Sequence, residues 1–224
     1  MKEIQIDGRT VRFFRGAGED LPTVYATNFM DEGEAVLNAC RDRSCPPFNY
    51  VTIHGIEWDA CLSPWPSAPV VNKSDDFRGL AKDYLSWCEE KVLPQAGDYF
   101  GGRRKQYISG YSMGGLFALW SLYETTAFDG AVCASGSLWY PDFRDFAVDH
   151  DLKGAVDGIY LSLGDRESKT KNPALRQNQS IFEELREVYT DRGIPCVFEL
   201  NKGNNFVDGE LRVAKGITWL LQQA

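Results

Sequence analysis

Polar and apolar positions change their period several times along this chain, and each change marks an element. From Lys2 to Asp7 charged and apolar residues alternate, and they do so again over 9–15 through Val11 and Phe13. A period of two marks a strand with one buried face. Asp7-Gly8 between the runs is a hairpin signal, so 2–7 and 9–15 are expected as two edge strands. Residues 22–27 read as a third strand. Residues 31–43 have helical spacing, with Ala35, Val36, Ala39 and Cys40 on one face, until Cys45-Pro46-Pro47 breaks it. A strand over 49–54 leads into an irregular stretch over 55–76. A helix over 77–92 carries Leu80, Tyr84, Leu85 and Cys88 three or four residues apart, and Pro94 and Gly97 are expected to end it.

A strand over 106–108, a turn over 109–115 and an apolar helix over 116–123 come next. The remainder reads as strand 130–135, short helix 141–148, strand 158–163, long amphipathic helix 173–191, strand 195–200 and helix 208–222. From residue 22 onward strand and helix alternate. The fold class expected is therefore α/β, one domain over 1–224, with a mainly parallel sheet and helices on both faces. Catalytic groups in such sheets gather at the carboxyl ends of strands. The informative loops are those after Thr27, His54, Ser109, Ser135, Leu163 and Leu200.

Bulk composition narrows the partners. Hydrophobic content of 43% and aromatic content of 13% describe a globular chain. The formal net charge is −8, and the longest basic run is Arg103-Arg104-Lys105, which argues against nucleic acid or an anionic membrane as partner. No apolar run is long enough to span a bilayer, and the charged alternating start does not read as a secretory signal, so a cytoplasmic protein is expected. Six scattered cysteines without a Cys-x-x-Cys fit reduced thiols. Neither metal-ligand spacing nor a glycine-rich phosphate cradle is present, and a homo-oligomer is compatible with the sequence.

The chemistry lies in Gly110-Tyr111-Ser112-Met113-Gly114. Gly-x-Ser-x-Gly between a strand and a helix is the pattern of a nucleophile elbow: the tight turn strains the serine backbone and lifts its hydroxyl clear of the sheet. The helix that follows aims unbonded N–H groups at an oxyanion beside Ser112, and Met113 N–H is the natural first donor. A second donor is expected just after the third strand, at Phe29 or its neighbour Asn28. The other reading of Thr27-Asn28 is a cap on the following helix. In this architecture the order along the chain is nucleophile, acid, base. Gly164-Asp165-Arg166-Glu167 offers two acids after a later strand. The loop after the last strand, where a base belongs, holds Asn204 and Asn205 and no histidine. Only His54 and His150 occur in the chain, both outside that loop. An amide has no basic nitrogen near neutral pH, so Asn205 can hold a hydrogen bond but cannot take the serine proton.

Taken together, residues 110–115, Ala134-Ser135-Gly136-Ser137-Leu138-Trp139-Tyr140, Leu163-Gly164-Asp165-Arg166-Glu167, and Gly203-Asn204-Asn205-Phe206 before a helix with Arg212 and Trp219 resemble the esterase branch of the α/β-hydrolases. That branch holds esterase D, enterochelin esterases, feruloyl esterases and mycolyltransferases. The resemblance covers nearly the whole chain. It implies an α/β-hydrolase fold without a large cap domain, no cofactor, and a serine nucleophile, Ser112. It also implies an acid with the Gly-x-x-Asp/Glu spacing of Glu167, with Asp165 as the alternative. The catalytic histidine of such relatives is replaced here by Asn205.

The loop from Gly55 to Pro66 is long and rich in tryptophan. Trp58, Trp65, Trp139 and Tyr140 either line an ester pocket or anchor the loop on the domain. The expected activity is hydrolysis of a small soluble carboxylic ester through an acyl-enzyme on Ser112. Asn205 should leave this chain inactive or nearly so. The alternative is a non-catalytic protein that binds a small metabolite in the same pocket.

Overall fold

The computed structural model describes residues 1–102 and 104–223, so Arg103 of the basic run lies outside the described residues. Eight strands form one sheet in the order β1-β2-β4-β3-β5-β6-β7-β8. β1 (Lys2–Ile6) and β2 (Arg9–Phe14) pair antiparallel around Asp7 and Gly8, both with positive φ, as the hairpin signal requires. Of these two, only β1 lies at an edge of the sheet. β2 also pairs with β4 (Asn49–His54), which buries Val11 and Phe13 completely. β3 (Thr23–Thr27), β4, β5 (Gln106–Tyr111), β6 (Gly130–Ala134), β7 (Gly158–Gly164) and β8 (Cys196–Asn201) run parallel to one another.

Helices cover both faces. On one side α1 (Gly33–Arg41) and α9 (Gly209–Leu221) pack together over a core of Val24, Tyr50, Tyr107, Val132 and Tyr160. The larger core lies on the other side, under α2 (Trp58–Leu62), α3 (Ala81–Trp87), α4 (Leu93–Phe100), α5 (Met113–Glu124), α6 (Phe143–Asp149) and α8 (Asn178–Asp191). A short α7 (Pro173–Arg176) precedes α8 and breaks at Gln177 what the pattern presents as one helix.

Three of the departures from the sequence reading have a clear local reason. α2 sits inside the stretch read as irregular, too short to show a period. The helix expected to stop at Pro94 continues to Phe100. A π-helical turn, Cys88–Val92, links α3 to α4, and Leu93 N–H bonds back to Cys88 O. Pro94 then stands at the start of a new helical segment, where a missing N–H costs nothing. Gly101, with φ 98°, makes the actual stop. The turn around Ser112 is also far tighter than expected. β5 runs on through Ser109-Gly110-Tyr111 and α5 starts at Met113, which leaves Ser112 alone between them.

All six cysteines are free thiols. No described helix is long and apolar enough to cross a membrane. Among the described residues no three His, Cys, Asp or Glu side chains are grouped to hold a metal.

Candidate active site

Ser112 has φ 56° and ψ −121°, a conformation costly for any residue with a Cβ. Close packing holds it there. A Cβ at Gly110 would stand 2.1 Å from Gly114 O, so only glycine lets strand and helix approach this closely. Ser112 N–H donates to Ala134 O at 3.1 Å, and Ser137 N–H donates to Ser112 O at 3.0 Å. The end of β6 and the loop after it therefore clamp the elbow from both sides. Ser112 Oγ lies 3.4 Å from Ser137 Oγ. It opens into a cavity of about 510 Å³ whose wall also includes Met113, Ser135, Trp139, Glu167 and Asn205.

The oxyanion donors fall on two elements. Met113 begins α5, so its N–H has no acceptor within the helix. Thr27 O faces Gly114 at 3.2 Å from where a Cβ would be, which brings the end of β3 against the elbow. Asn28 N–H is taken by Ile53 O at 2.9 Å, and this leaves Phe29 as the donor candidate on that side. The Phe29 ring is not part of the cavity wall. It is exposed and stands edge-on to Trp58, ring centres 5.3 Å apart. The capping reading of Thr27-Asn28 fails: α1 starts at Gly33, and Glu32 instead accepts Met30 N–H.

The two acids separate cleanly. Asp165 Oδ1 accepts Gly203 N–H at 2.9 Å and ties β7 to the loop after β8, outside the cavity wall. Glu167 lies in the wall with its side chain 8% exposed. Its Oε1 accepts from Gly164 N–H at 2.7 Å, Ser135 Oγ at 2.8 Å and Arg212 Nη1 at 2.6 Å. Every hydrogen bond recorded for this carboxylate falls on Oε1. Burial pushes the Glu167 carboxyl above its ordinary value; the Gly164 N–H, the Ser135 hydroxyl and the Arg212 guanidinium pull it back in part. Gly164 is required for this packing, since a Cβ there would meet Gly203 O at 2.4 Å and Glu167 Oε1 at 2.8 Å.

Arg212 is the group that reading the residues singly did not find. On α9 and 1% exposed, it bonds Glu167 and Ser135 through Nη1 and Asn204 O through Nη2 at 2.9 Å. It thus ties the acid loop to the 202–206 loop. A buried arginine has no period of its own; only its place with Trp219 on the helix after Gly203-Asn204-Asn205-Phe206 in the resembled motif points to it. Asn205 belongs to the cavity wall, and its Oδ1 is buried without a hydrogen-bond partner among the described residues. The two histidines are elsewhere: His54 Nε2 is 2.9 Å from Thr52 Oγ1, and His150 stacks on Phe146.

The aromatic expectation is half corrected. Trp58 and Trp139 line the cavity. Trp65 and Tyr140 do not. Tyr140 is 2% exposed and donates its hydroxyl to Trp65 O at 2.5 Å, while Trp65 Nε1 donates to Pro141 O at 3.0 Å. This is the anchoring role: each polar tip is satisfied by a backbone carbonyl, with Tyr140 buried in the core and Trp65 half-buried against it.

Comparison with known proteins gives no match to any family model. An uncharacterised protein of Bacillus subtilis, YbbA, is 24% identical over 181 residues, which span 74% of this chain and 71% of that protein. Among solved structures, an IroE-like serine hydrolase from Shewanella oneidensis superposes with a TM-score of 0.78 at 16% identity, covering 96% of this chain and 76% of the other. The siderophore hydrolase EstA from Aspergillus nidulans gives 0.75 at 20% identity, covering 100% of this chain and 94% of the other. With the strand order, the serine between β5 and α5 and these likenesses over nearly its whole length, the chain has the α/β-hydrolase fold, in the form seen in that serine hydrolase and in EstA.

Proposed function

We propose that this chain is built as a serine hydrolase of small carboxylic esters and that Asn205 stands in place of its base. The observation that carries the reading is the strained Ser112 at the mouth of the 510 Å³ cavity, with the buried Glu167 and Asn205 in the same wall. The structural likeness to a siderophore hydrolase and a serine hydrolase supports ester cleavage as the chemistry.

In the proposed reaction Ser112 Oγ attacks the ester carbonyl carbon. Met113 and Phe29 N–H groups hold the oxyanion, the alcohol leaves, and water releases the acid from the acyl-serine. Both halves need a group that takes a proton and gives it back. Glu167 would orient and support such a group through Oε2, because Oε1 is already saturated. An amide at 205 can do neither transfer, so turnover by this chain is expected to be very low. No lid-sized insertion follows β6, which favours a soluble ester over a lipid interface.

Asn205→His should restore acylation. Brief exposure of that variant to p-nitrophenyl butyrate, followed by intact-mass measurement, should show one butyryl group on the protein and none after Ser112→Ala. A butyryl adduct that survives Ser112→Ala would place the chemistry elsewhere.

A further inference from the structure

The chain leaves α1 through a turn that sets two cysteines against each other. Ser44 has φ 55°. Its N–H donates to Arg41 O at 3.1 Å, and Cys45 N–H donates to Cys40 O at 3.1 Å. These paired bonds make the helix stop in which the residue after a left-handed position folds back over the last turn. The two side chains joined in this way usually make an apolar contact. Here both are cysteine, and their side chains interact. A disulfide needs two facing side chains on closely spaced backbone, and a bond between the two residues' own peptide groups supplies that spacing.

The two thiols differ in access and in acidity. Cys40 is 2% exposed and lies under α9, its Sγ 4.0 Å from Ala214 O. Cys45 is half-buried. Both belong to the wall of a cavity of about 590 Å³ that shares no residue with the one before Ser112. Hydrogen bonding from Cys40 holds the Cys45 thiol below its ordinary value, against the cost of burial and with a smaller contribution from Thr218. The same interaction, together with burial, pushes Cys40 up, while Arg43 and Arg41 act in the opposite sense and offset the negative end of the helix. Burial raises the thiols of Cys61, Cys88, Cys133 and Cys196, so Cys45 is the one cysteine of the six held toward its reactive, thiolate form.

We infer that Cys45 and Cys40 form a thiol–disulfide exchange site that reacts with small-molecule disulfides such as oxidised glutathione. The Cys45 thiolate attacks one sulfur of the disulfide, that S–S bond breaks, and one glutathione leaves as its thiolate. The Cys40 thiol gives its proton to this thiolate, and its sulfur then attacks the Cys45 sulfur. The second glutathione leaves and takes up the proton that Cys45 had lost. Two protein thiols are thereby oxidised to one Cys40–Cys45 disulfide, and one small disulfide is reduced to two thiols. The free thiols of the structure are the reduced end of this exchange. The site is independent of the chemistry at Ser112.

Oxidised glutathione given to the unmutated chain should remove two hydrogens from its intact mass, and dithiothreitol should restore them. Trypsin cuts after Arg41 and Arg43 put Cys40 and Cys45 on separate peptides, so the link should appear as a joined pair, and fragmentation tells Cys45 from Cys61 on the second peptide. Cys40→Ser should stop at Cys45 carrying one glutathionyl group. Cys45→Ser should neither close a disulfide nor carry that group. Cys40 is buried, so a second readout avoids its replacement. Brief iodoacetamide treatment of the reduced, unmutated chain should label Cys45 about tenfold or more faster than any other cysteine. A disulfide mapped to a different pair overturns the inference. So does a glutathionyl group that stays on Cys45 of the unmutated chain, or labelling of Cys45 no faster than that of the other cysteines.

Discussion

Removing Arg212 should be among the most damaging single changes to this protein, and the damage should depend on pH. Its guanidinium is 1% exposed and its partner Glu167 is 8% exposed. Solvent screening is therefore small, and breaking such a pair by deleting one partner costs about 3–5 kcal/mol because the other charge stays buried. For a domain of this size each kcal/mol moves the melting temperature by about 2–4 °C, so Arg212→Met should melt roughly 6–20 °C lower. The loss should be steeper at higher pH. Glu167 already has a folded-state pKa above its ordinary 4.5, and the variant raises it further by removing its counter-charge. Folding then favours the protonated acid, so that stability is complete below the ordinary value and is lost as pH rises through the raised one. Urea unfolding at about pH 5 and about pH 8 should show the larger deficit at the higher pH. Glu167→Gln added to Arg212→Met should recover a large part of the loss, because no charge is then left buried. A deficit that is the same at both pH values and is not recovered in the double variant would refute the reasoning and place the role of Arg212 in its hydrogen bonds to the 202–206 loop.

Two further outcomes follow from the same geometry. Ser112→Gly should melt higher than the unmutated chain, by about 1 kcal/mol in unfolding free energy, because glycine adopts φ 56° and ψ −121° without the strain that serine stores there. A calorimetric melt that shows no gain would mean the elbow is not strained. In the Asn205→His background, Asp165→Asn should keep ester hydrolysis and lose only about 1 kcal/mol of stability through a weaker Gly203 bond, whereas Glu167→Gln should abolish turnover. The reverse pattern, read as kcat on p-nitrophenyl butyrate, would make Asp165 the acid.

How much of this was legible in the sequence depended on whether a feature repeats or is unique. The strands and most helices announce themselves by period, and the elbow by the two glycines that its close packing requires. The position of Asn205 follows from chain order in the resembled motif. What the sequence hid is contact. The resembled spacing favours Glu167 over Asp165 without saying what either touches; the fold shows one holding Gly203 and the other facing the cavity with Arg212 behind it. Nor could the sequence tell Trp58 from Trp65, seven residues apart in sequence, since only the fold shows Tyr140 holding the second against the core.

The central claim is that Ser112 belongs to an ester-cleaving site complete but for the base at 205. The most direct test is the rate of p-nitrophenyl acetate and butyrate hydrolysis by three proteins side by side: the chain itself, Asn205→His, and Asn205→His with Ser112→Ala. The account predicts a rate near background for the first, a gain of about 100-fold or more for the second, as expected of a positioned general base, and a return to background for the third. A second protein no faster than the third, with its fold intact by circular dichroism, would contradict it.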